Sequence, residues 1–208
     1  RSLKPKRFED IVALVALIRP GPLGAGMHNE FADRANNRKE IEYLHNDLES
    51  ILNETYGVIL YQEQVMQIAE KIAGFNLQEA DNLRVAMGKK IPKVMEEQRK
   101  KFTDGAVSNN YSEQFAIELF DQIAYFAGYG FNKSHSVPYA LLAYQTAYLK
   151  ANYPAEYIAA CLTAVKRDKD RTAIFLSEAR DMGVKVSTPD INLSSSDFTV
   201  NDNEILFG

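Results

Sequence analysis

The chain has 208 residues, of which 46% are hydrophobic and 25% are charged, a composition typical of a globular protein with a sizeable core. Its formal net charge of −4 argues against a protein that coats nucleic acid through overall positive charge. Cys161 is the only cysteine, so an intrachain disulfide and a cysteine-ligated metal are excluded and a reducing, cytoplasmic setting is the simplest expectation. The longest apolar run, residues 11–18, is far shorter than the roughly 20 residues of a membrane span.

Hydrophobic periodicity predicts a mostly α-helical fold with a few short β-strands near the C-terminal end. The predicted helices occupy residues 8–18, 62–73, 77–87, 92–107, 113–127, 137–151, 155–165 and 172–182. The predicted strands occupy residues 184–186, 198–200 and 205–207, and residues 57–61 form either a further strand or an apolar entry to the next helix. We expect a helical domain over residues 1–183, a short β-containing segment over residues 184–208, and an internal piece of a longer protein.

Charge is distributed unevenly along the chain. Residues 84–101 contain seven basic side chains against two acidic ones, whereas residues 30–54 contain seven acidic side chains against three basic ones. A local basic stripe on an acidic protein suits a placed phosphate contact better than general coating of DNA.

Four cationic residues are candidates for an anionic ligand, but each also has an explanation without one. Arg84 follows Asp81 by one helical turn, which allows an ion pair within the helix. Lys89 and Lys90 follow the end of that helix, where the helix dipole favours cations. Arg19 is the first charge after a buried helix, so it either pairs with a carboxylate or contacts an anion.

The stretch GYGFNKSHSVPY at residues 128–139 is a further candidate site. Its two glycines permit close approach of the backbone to a ligand, and a helix start offers unpaired N–H groups that suit phosphate. Asn132, Lys133 and His135 provide side-chain donors there. The alternative is a glycine-rich connection in which Ser134 or Ser136 caps the following helix. That helix is rich in Ala, Leu and Tyr, which predicts packing on several sides.

The sequence indicates no catalytic residue and no metal ligand. Leu83 stands where a phosphate-binding loop of the Walker type needs its first glycine, and residues 128–133 lack the third glycine of a dinucleotide fingerprint. No nucleophile with a neighbouring base and no cluster of metal-ligating side chains is visible.

Four long motifs carry a resemblance to a known family. They are RPGPLGAGM at residues 19–27, YGVILYQEQVMQIA at 56–69, ADNLRVAMGKK at 80–90 and FAGYGFNKSHSVPYALLAYQTAYLKANYPAEYIAA at 126–160. The chain resembles the bacterial DNA polymerase III α-subunit family, the C-family replicative polymerases, over almost its whole length. By its place in that family it is similar to the fingers domain.

The resemblance implies a parent protein that transfers a nucleotide from a dNTP to a primer 3′-hydroxyl. Two metal ions, expected to be Mg²⁺, would be held by palm carboxylates outside this chain, so the piece alone is predicted to be inactive. Fingers of this family cover the incoming nucleotide and neutralise its triphosphate. Asp190 lies in a sequence similar to the palm motif, but Asn192 replaces its second acid, so neither is assigned a catalytic role.

The same resemblance ranks the candidate residues for the triphosphate. Arg84 comes first because it matches an arginine of the family's LRRAMGKK element, although Val85 stands where a second arginine is usual. Lys133, with Asn132 and His135, comes second because these residues match GYGFNKSHS. The third group consists of Arg19, Lys89 and Lys90.

The partners implied are primer-template DNA and dNTPs, and, for the parent, a sliding clamp and other replisome subunits bound outside this chain. No membrane is involved. Two other functions remain open from the residues themselves: a helical protein–protein interaction module of a larger assembly, and a self-sufficient nucleotide-binding enzyme. The second is disfavoured because no phosphate loop is present.

Overall fold

A computed structural model describes residues 3–89 and 91–208 and confirms a mostly helical fold with two short strands near the C-terminal end. The helices are α1 (Phe8–Leu17), α2 (Pro20–Gly24), α3 (Met27–Ala35), α4 (Glu49–Leu52), α5 (Gln62–Ala73), α6 (Leu77–Lys89), α7 (Pro92–Ser108), α8 (Glu113–Ala127), α9 (Lys133–Asn152), α10 (Pro154–Val165) and α11 (Lys169–Asp181). The strands are β1 (Thr199–Asn201) and β2 (Glu204–Leu206). Every predicted helix is present, with ends displaced by at most about one helical turn.

The chain divides into two compact units, one up to Ala140 and one comprising Leu141–Gly208. The division falls inside α9, the longest helix described. The predicted boundary after residue 183 concerns the domains of a longer protein, and it stays a prediction.

The larger core of the first unit lies among helices α5, α6, α7 and α8. The apolar residues of α5 recur at helical spacing and therefore form one buried face. Both α6 and α7 pack against this helix. Ile68, Ile72, Leu83, Phe102 and Leu119 are completely buried there. This cluster confirms the apolar stripe predicted for residues 62–73.

A second core of this unit lies around α1 and α3 and meets the segment of residues 58–61. Along this segment Ile59 belongs to the first core, whereas Val58, Leu60 and Tyr61 belong to the second. The side chains of the segment are thus divided between the two cores, and the segment lies between them. Of the two alternatives for residues 57–61, the structure confirms the apolar entry to α5, because Tyr61 makes only an isolated bridge and no strand forms here.

The second unit packs α10 and α11 against an antiparallel hairpin of β1 and β2. Val200 pairs with Ile205, and a turn at Asp202 and Asn203 connects the two strands. The predicted strand at residues 184–186 is wrong: this segment makes only an isolated bridge between Val186 and Ile205. Val186 thus pairs with β2 through a single bridge, and its neighbours do not extend the pairing into a strand.

Helices α5 and α7 approach each other closely at Gly105. A Cβ atom at this position would lie 2.2 Å from the carbonyl oxygen of Ala73, far inside van der Waals contact. Glycine in a helix costs about 1 kcal/mol relative to alanine, so Gly105 opposes the local propensity of α7. The close approach of the two helices explains its presence.

Gly105→Ala is expected to destabilise the chain by about 1–3 kcal/mol, because the added methyl group has to push α5 away from α7. Gly88→Ala is the matched control, since Gly88 also lies within a helix but its Cβ would meet nothing within 4 Å. That control should be neutral or stabilising by up to about 1 kcal/mol. Urea unfolding measures both, and equal effects of the two substitutions would contradict the packing explanation.

A buried carboxylate organises the N-terminal end of α1. Asp10, only 1% exposed, accepts hydrogen bonds from the backbone N–H groups of Lys6 (2.9 Å) and Arg7 (3.1 Å) and from the Tyr56 hydroxyl (2.9 Å). Burial by itself would raise the pKa of Asp10, but these hydrogen bonds favour the charged form and the net result is a lowered pKa. The carboxylate therefore ties α1 to the chain around residue 56.

The lowered pKa of Asp10 predicts a pH-dependent loss of stability. Its contribution is complete above the unfolded-state pKa of about 3.9 and is lost as the pH falls through the lower folded-state pKa. Asp10→Asn should therefore cost about 1–3 kcal/mol at neutral pH, and the difference from wild type should shrink towards about pH 3. Urea unfolding at about pH 7, 5 and 3 tests this, with the exposed Asp104→Asn as control. A difference that is independent of pH would contradict it.

Candidate functional site

The stretch of residues 128–139 is held against the segment before α5 by two backbone hydrogen bonds. The N–H of Phe131 donates to the carbonyl of Leu60 at 3.1 Å, and the carbonyl of Phe131 accepts from the N–H of Gln62 at 3.0 Å. They form a parallel bridge between Tyr61 and Phe131. The loop between α8 and α9 is therefore fixed on the start of α5.

Helix α9 begins at Lys133, four residues before its predicted start at residue 137. The Asn132 side-chain oxygen accepts from the N–H of His135 at 2.8 Å, which is the hydrogen bond of an N-terminal cap. The expectation that Ser134 or Ser136 caps the helix is wrong, because both residues lie inside its first turn. Of the donors predicted at the mouth of the helix, Lys133 and His135 are thus part of the helix itself, and Asn132 caps it as an acceptor.

A carboxylate already lies at the positive end of α9. Both oxygens of Glu63 accept from the backbone N–H of Lys133, each at 3.0 Å. Unpaired N–H groups and the helix dipole favour an anion at this position. The geometry shows that the start of α9 accommodates an anionic oxygen pair, here supplied by α5.

The Lys133 ammonium is directed towards a second carboxylate. Its Nζ lies 2.6 Å from Oε2 of Glu54 and 5.7 Å from the centre of the Tyr61 ring. The Lys133 side chain is 38% exposed, so the ion pair is accessible to solvent. Exposed pairs of this kind contribute little net stability, which leaves Lys133 able to exchange partners at small cost.

Arg19 lies beside the same loop and contacts carbonyl groups and an aromatic ring. Its Nε donates to the carbonyl of Ala16 at 2.8 Å and a terminal nitrogen donates to the carbonyl of Tyr129 at 2.6 Å. The guanidinium stacks over Phe131, 4.3 Å from the ring centre. Burial lowers the pKa of Arg19 from its ordinary value, but an arginine remains charged at neutral pH. The predicted carboxylate partner is replaced by carbonyl oxygens.

His135 completes an aromatic group at this end of α9. Its ring centre lies 5.5 Å from that of Phe131 and 4.9 Å from that of Tyr139, one turn further along the helix. The imidazole is therefore oriented by ring packing on two sides. Phe131 is the common neighbour of His135 and Arg19.

The remaining candidates lie on α6. Arg84 forms the ion pair with Asp81 that the sequence allows, with Nε and Oδ1 2.8 Å apart and the arginine side chain 33% exposed. Lys89 is exposed at the end of the helix, and Lys90 lies outside the described residues. The structure thus groups Arg19, Asn132, Lys133 and His135 around Phe131, whereas α6 packs on α5, α7 and α8.

Sequence reasoning missed a buried polar network behind the loop. The Gln64 side-chain oxygen accepts from the N–H groups of Leu60 (2.8 Å) and Tyr61 (2.9 Å), and its nitrogen donates to the Thr55 hydroxyl at 2.8 Å. Thr55 in turn donates to the carbonyl of Val58 at 2.6 Å. The available signal was a glutamine at the third position of α5, where side chains bond back to the preceding residue.

Two buried hydroxyl groups near the loop have no hydrogen-bond partner within the described part of the chain. They belong to Tyr61 and Ser136, which are 1% and 0% exposed. Burial, together with the negative charges of Glu54 and Glu63, raises the pKa of Tyr61 far above its usual range. Tyr61 therefore stays neutral and contributes its ring face to Lys133.

A cleft of about 920 Å³ in the first unit is lined by none of these candidates. Among its described lining residues, Glu30, Glu42, Glu118 and Asp121 face one cation, Arg34. An acidic lining disfavours a phosphate ligand, so the charge of the cleft and not its volume decides against it as the candidate site.

The described residues, 3–89 and 91–208, contain neither a metal site nor a membrane-spanning helix. In this part of the chain, no group of three or more His, Cys, Asp or Glu side chains is arranged to hold a metal ion. None of the helices in the same residues combines the length and the apolar character needed to cross a membrane.

Comparisons with known proteins agree with the motifs. A family model described as "Bacterial DNA polymerase III alpha subunit finger domain" matches residues 1–110. The chain is 49% identical to the DNA polymerase III subunit alpha of Mycobacterium tuberculosis (strain ATCC 25618 / H37Rv) and 50% identical to those of Haemophilus influenzae and Escherichia coli (strain K12). Each comparison covers the whole chain but only 18% of the relative.

Proposed function

The chain belongs to the family of bacterial DNA polymerase III alpha subunits and corresponds to its finger domain, and from this premise we propose that it binds the incoming dNTP and the template-primer end during DNA synthesis. In the parent protein these contacts would serve a DNA-directed DNA polymerase, which joins the nucleotide to the primer 3′-hydroxyl. The chain spans 18% of the length of its relatives, and we propose that the polymerase activity belongs to the whole parent protein.

The observation that carries the proposal is the donor-rich site at the start of α9, where the cations Lys133 and Arg19 balance the carboxylates of Glu54 and Glu63. Arg19 stacks over Phe131, Lys133 lies over the ring of Tyr61, which pairs with Phe131, and the N-terminal end of a 20-residue helix adds its dipole. Phosphoryl transfer depends mainly on positioning and on neutralising the charge of the triphosphate, which rigidly held cations supply. Two carboxylates, from Glu54 and Glu63, already contact Lys133 here, which supports a site with affinity for anionic oxygens.

Arg84 remains the first candidate for the triphosphate because of its match to the family motif. Its ion pair with Asp81 joins residues one turn apart on a partly exposed helix face. Such a pair contributes only a few tenths of a kcal/mol, so a phosphate can replace the carboxylate at little cost. Lys89, at the end of the same helix, is exposed and suits a supporting contact, and Lys90 follows it in sequence.

We further propose that metal ions, Mg²⁺ by the chemistry of polymerases, are held in the parent by carboxylates outside this chain. The described residues do not fit such a metal site, because no three His, Cys, Asp or Glu side chains among them are grouped to hold an ion. The chain alone is then inactive. A sliding clamp and other replisome subunits are proposed partners of other parts of the parent, in a cytoplasmic setting.

A second candidate function is a helical protein–protein interaction module. It is favoured by α9, which exposes large apolar side chains, including Tyr139, Leu142, Tyr144 and Tyr148. This function predicts that substitutions at Arg84 and Lys133 alter a protein contact and leave nucleotide use unchanged.

Arg84→Ala in the full-length parent polymerase is expected to lower kcat/KM for single-nucleotide incorporation about 10- to 100-fold, because one charge-assisted phosphate contact is lost. Arg38→Ala is the matched control, since Arg38 also forms a 2.8 Å ion pair, with Asp33, and is 50% exposed. Incorporation on a preformed primer-template complex measures both. If the Arg84→Ala enzyme has the same kcat/KM as the control, Arg84 does not contact the triphosphate and serves only in the ion pair with Asp81.

Lys133→Ala is expected to raise the KM for dNTP by roughly 10-fold without changing the affinity for primer-template DNA. Lys39→Ala serves as control because Lys39 forms a similar exposed pair, 2.6 Å from Glu30. DNA affinity and single-nucleotide incorporation are measured on the same preparations. A weaker DNA affinity with an unchanged KM would assign Lys133 to the DNA and not to the nucleotide.

A further inference from the structure

We infer that Gln64 is a positioning residue for the nucleotide site, acting through the backbone of Leu60 and Tyr61 on the loop that carries Phe131 and Lys133. The inference rests on the function proposed above and adds a residue that contacts neither Lys133 nor Arg19 through its own side-chain hydrogen bonds. It concerns how the site is held in place and not which groups contact the triphosphate.

Gln64 is almost completely buried, and both ends of its carboxamide are occupied. The oxygen accepts from the N–H groups of Leu60 and Tyr61, at 2.8 and 2.9 Å. The nitrogen donates to the Thr55 hydroxyl at 2.8 Å and to the carbonyl of Ile51 at 3.3 Å. A glutamine has two acceptor lone pairs and two N–H donors, so the side chain is fully satisfied in this one orientation.

Leu60 forms hydrogen bonds both to Gln64 and to the loop that contains Phe131. Leu60 donates its N–H to Gln64 and accepts the N–H of Phe131 with its carbonyl, at 3.1 Å. On this first route, Leu60 alone connects Gln64 to the loop. A displacement of Leu60 moves the acceptor on which Phe131 depends.

The second hydrogen bond reaches Lys133 by another route. The N–H of Tyr61 also donates to Gln64, and the Tyr61 ring lies 5.7 Å from the Lys133 ammonium. Gln62, the next residue, donates its N–H to the carbonyl of Phe131. Three consecutive residues thus contact either Gln64 or the loop, and two of them contact both.

Removing the Gln64 oxygen leaves two buried N–H groups without an acceptor. Buried backbone groups without partners are strongly unfavourable, so the segment would shift until other acceptors are found. A misplacement of about 1 Å in a catalytic site can cost roughly 100-fold in rate. Loss of Gln64 should therefore disturb nucleotide binding more than an equal loss of stability elsewhere in α5.

The test compares Gln64→Leu with Ile72→Ala in the full-length parent polymerase. Ile72 lies in the same helix and is completely buried, but it belongs to the core behind the helix and not to the loop. Gln64→Leu is expected to raise the KM for dNTP about 10-fold, with unchanged affinity for primer-template DNA. Ile72→Ala should lower the thermal unfolding temperature while leaving this KM near the wild-type value. Equal effects of the two variants on KM would overturn the inference.

Two milder variants keep the test decisive if Gln64→Leu does not fold. Gln64→Glu retains an oxygen for the N–H groups of Leu60 and Tyr61 and should restore much of the wild-type KM. Thr55→Val removes the hydroxyl that orients the Gln64 amide and should raise the KM in the same direction by a smaller factor. An unchanged KM in Thr55→Val together with a Gln64→Glu variant no better than Gln64→Leu would overturn the inference.

Lys133→Ala separates this inference from the proposed function. If Gln64 acts through the loop, Gln64→Leu should add little to the KM of a Lys133→Ala variant, because coupled substitutions are not additive. A KM unchanged by Lys133→Ala alone overturns the proposed role of Lys133 and, with it, this inference. A KM raised by Lys133→Ala but not by Gln64→Leu overturns the inference alone.

Discussion

Two backbone hydrogen bonds between Phe131 and the segment before α5 connect the parts of the first unit on which the candidate site depends. The segment separates two hydrophobic cores, with Ile59 in one and Leu60 in the other. Any group fixed to this segment is therefore fixed to both cores at once. The loop before α9 is such a group, and it brings together side chains that are more than a hundred positions apart in the chain, Arg19 and Phe131 among them.

The cations around the loop contact oxygen atoms that a phosphate could replace. Lys133 contacts carboxylates with both its ammonium and its backbone N–H, whereas Arg19 contacts carbonyl oxygens, and a guanidinium offers five N–H donors in all. Partly exposed ion pairs cost little to break, because water and salt stabilise the separated charges almost as well. A site of this kind can receive a phosphate without first paying a large energetic penalty. The pair of Arg84 and Asp81 on α6 has the same property.

Rigidity comes from the packing behind these exchangeable charges. α5 contributes Ile68 and Ile72 to the core, approaches α7 closely at Gly105, and provides Gln64 and Glu63 at its other end. One helix thus joins the packed interior to the polar groups that face the loop. Positions fixed by a core are held more precisely than positions on a loop alone, which suits a site that acts by positioning.

Local patterns in the sequence determined much of the helical architecture, because helix periodicity, caps and proline breaks act over a few residues. They predicted α5 and α8 at their observed bounds and the Asp81 to Arg84 pair within one helix. They did not predict the start of α9 at Lys133, since Asn132 caps the helix in a loop already held by Leu60. Nor did they predict that Ser136 and Ala140 are the fully buried residues among those described in α9, where burial on several sides was expected.

The family resemblance ranked the candidate residues, but it did not show how they are grouped. Arg19 could be assigned a carboxylate or an anion from the sequence, and tertiary structure gave it carbonyl oxygens and the face of Phe131. Gln64 carried no functional signal beyond its place in the first turn of α5. The sequence by itself determined the helices and the chemical types available to the site, because these depend on neighbours in the chain. Only the tertiary structure decided which of them meet, because contacts between distant residues depend on how the two cores pack around residues 58–61.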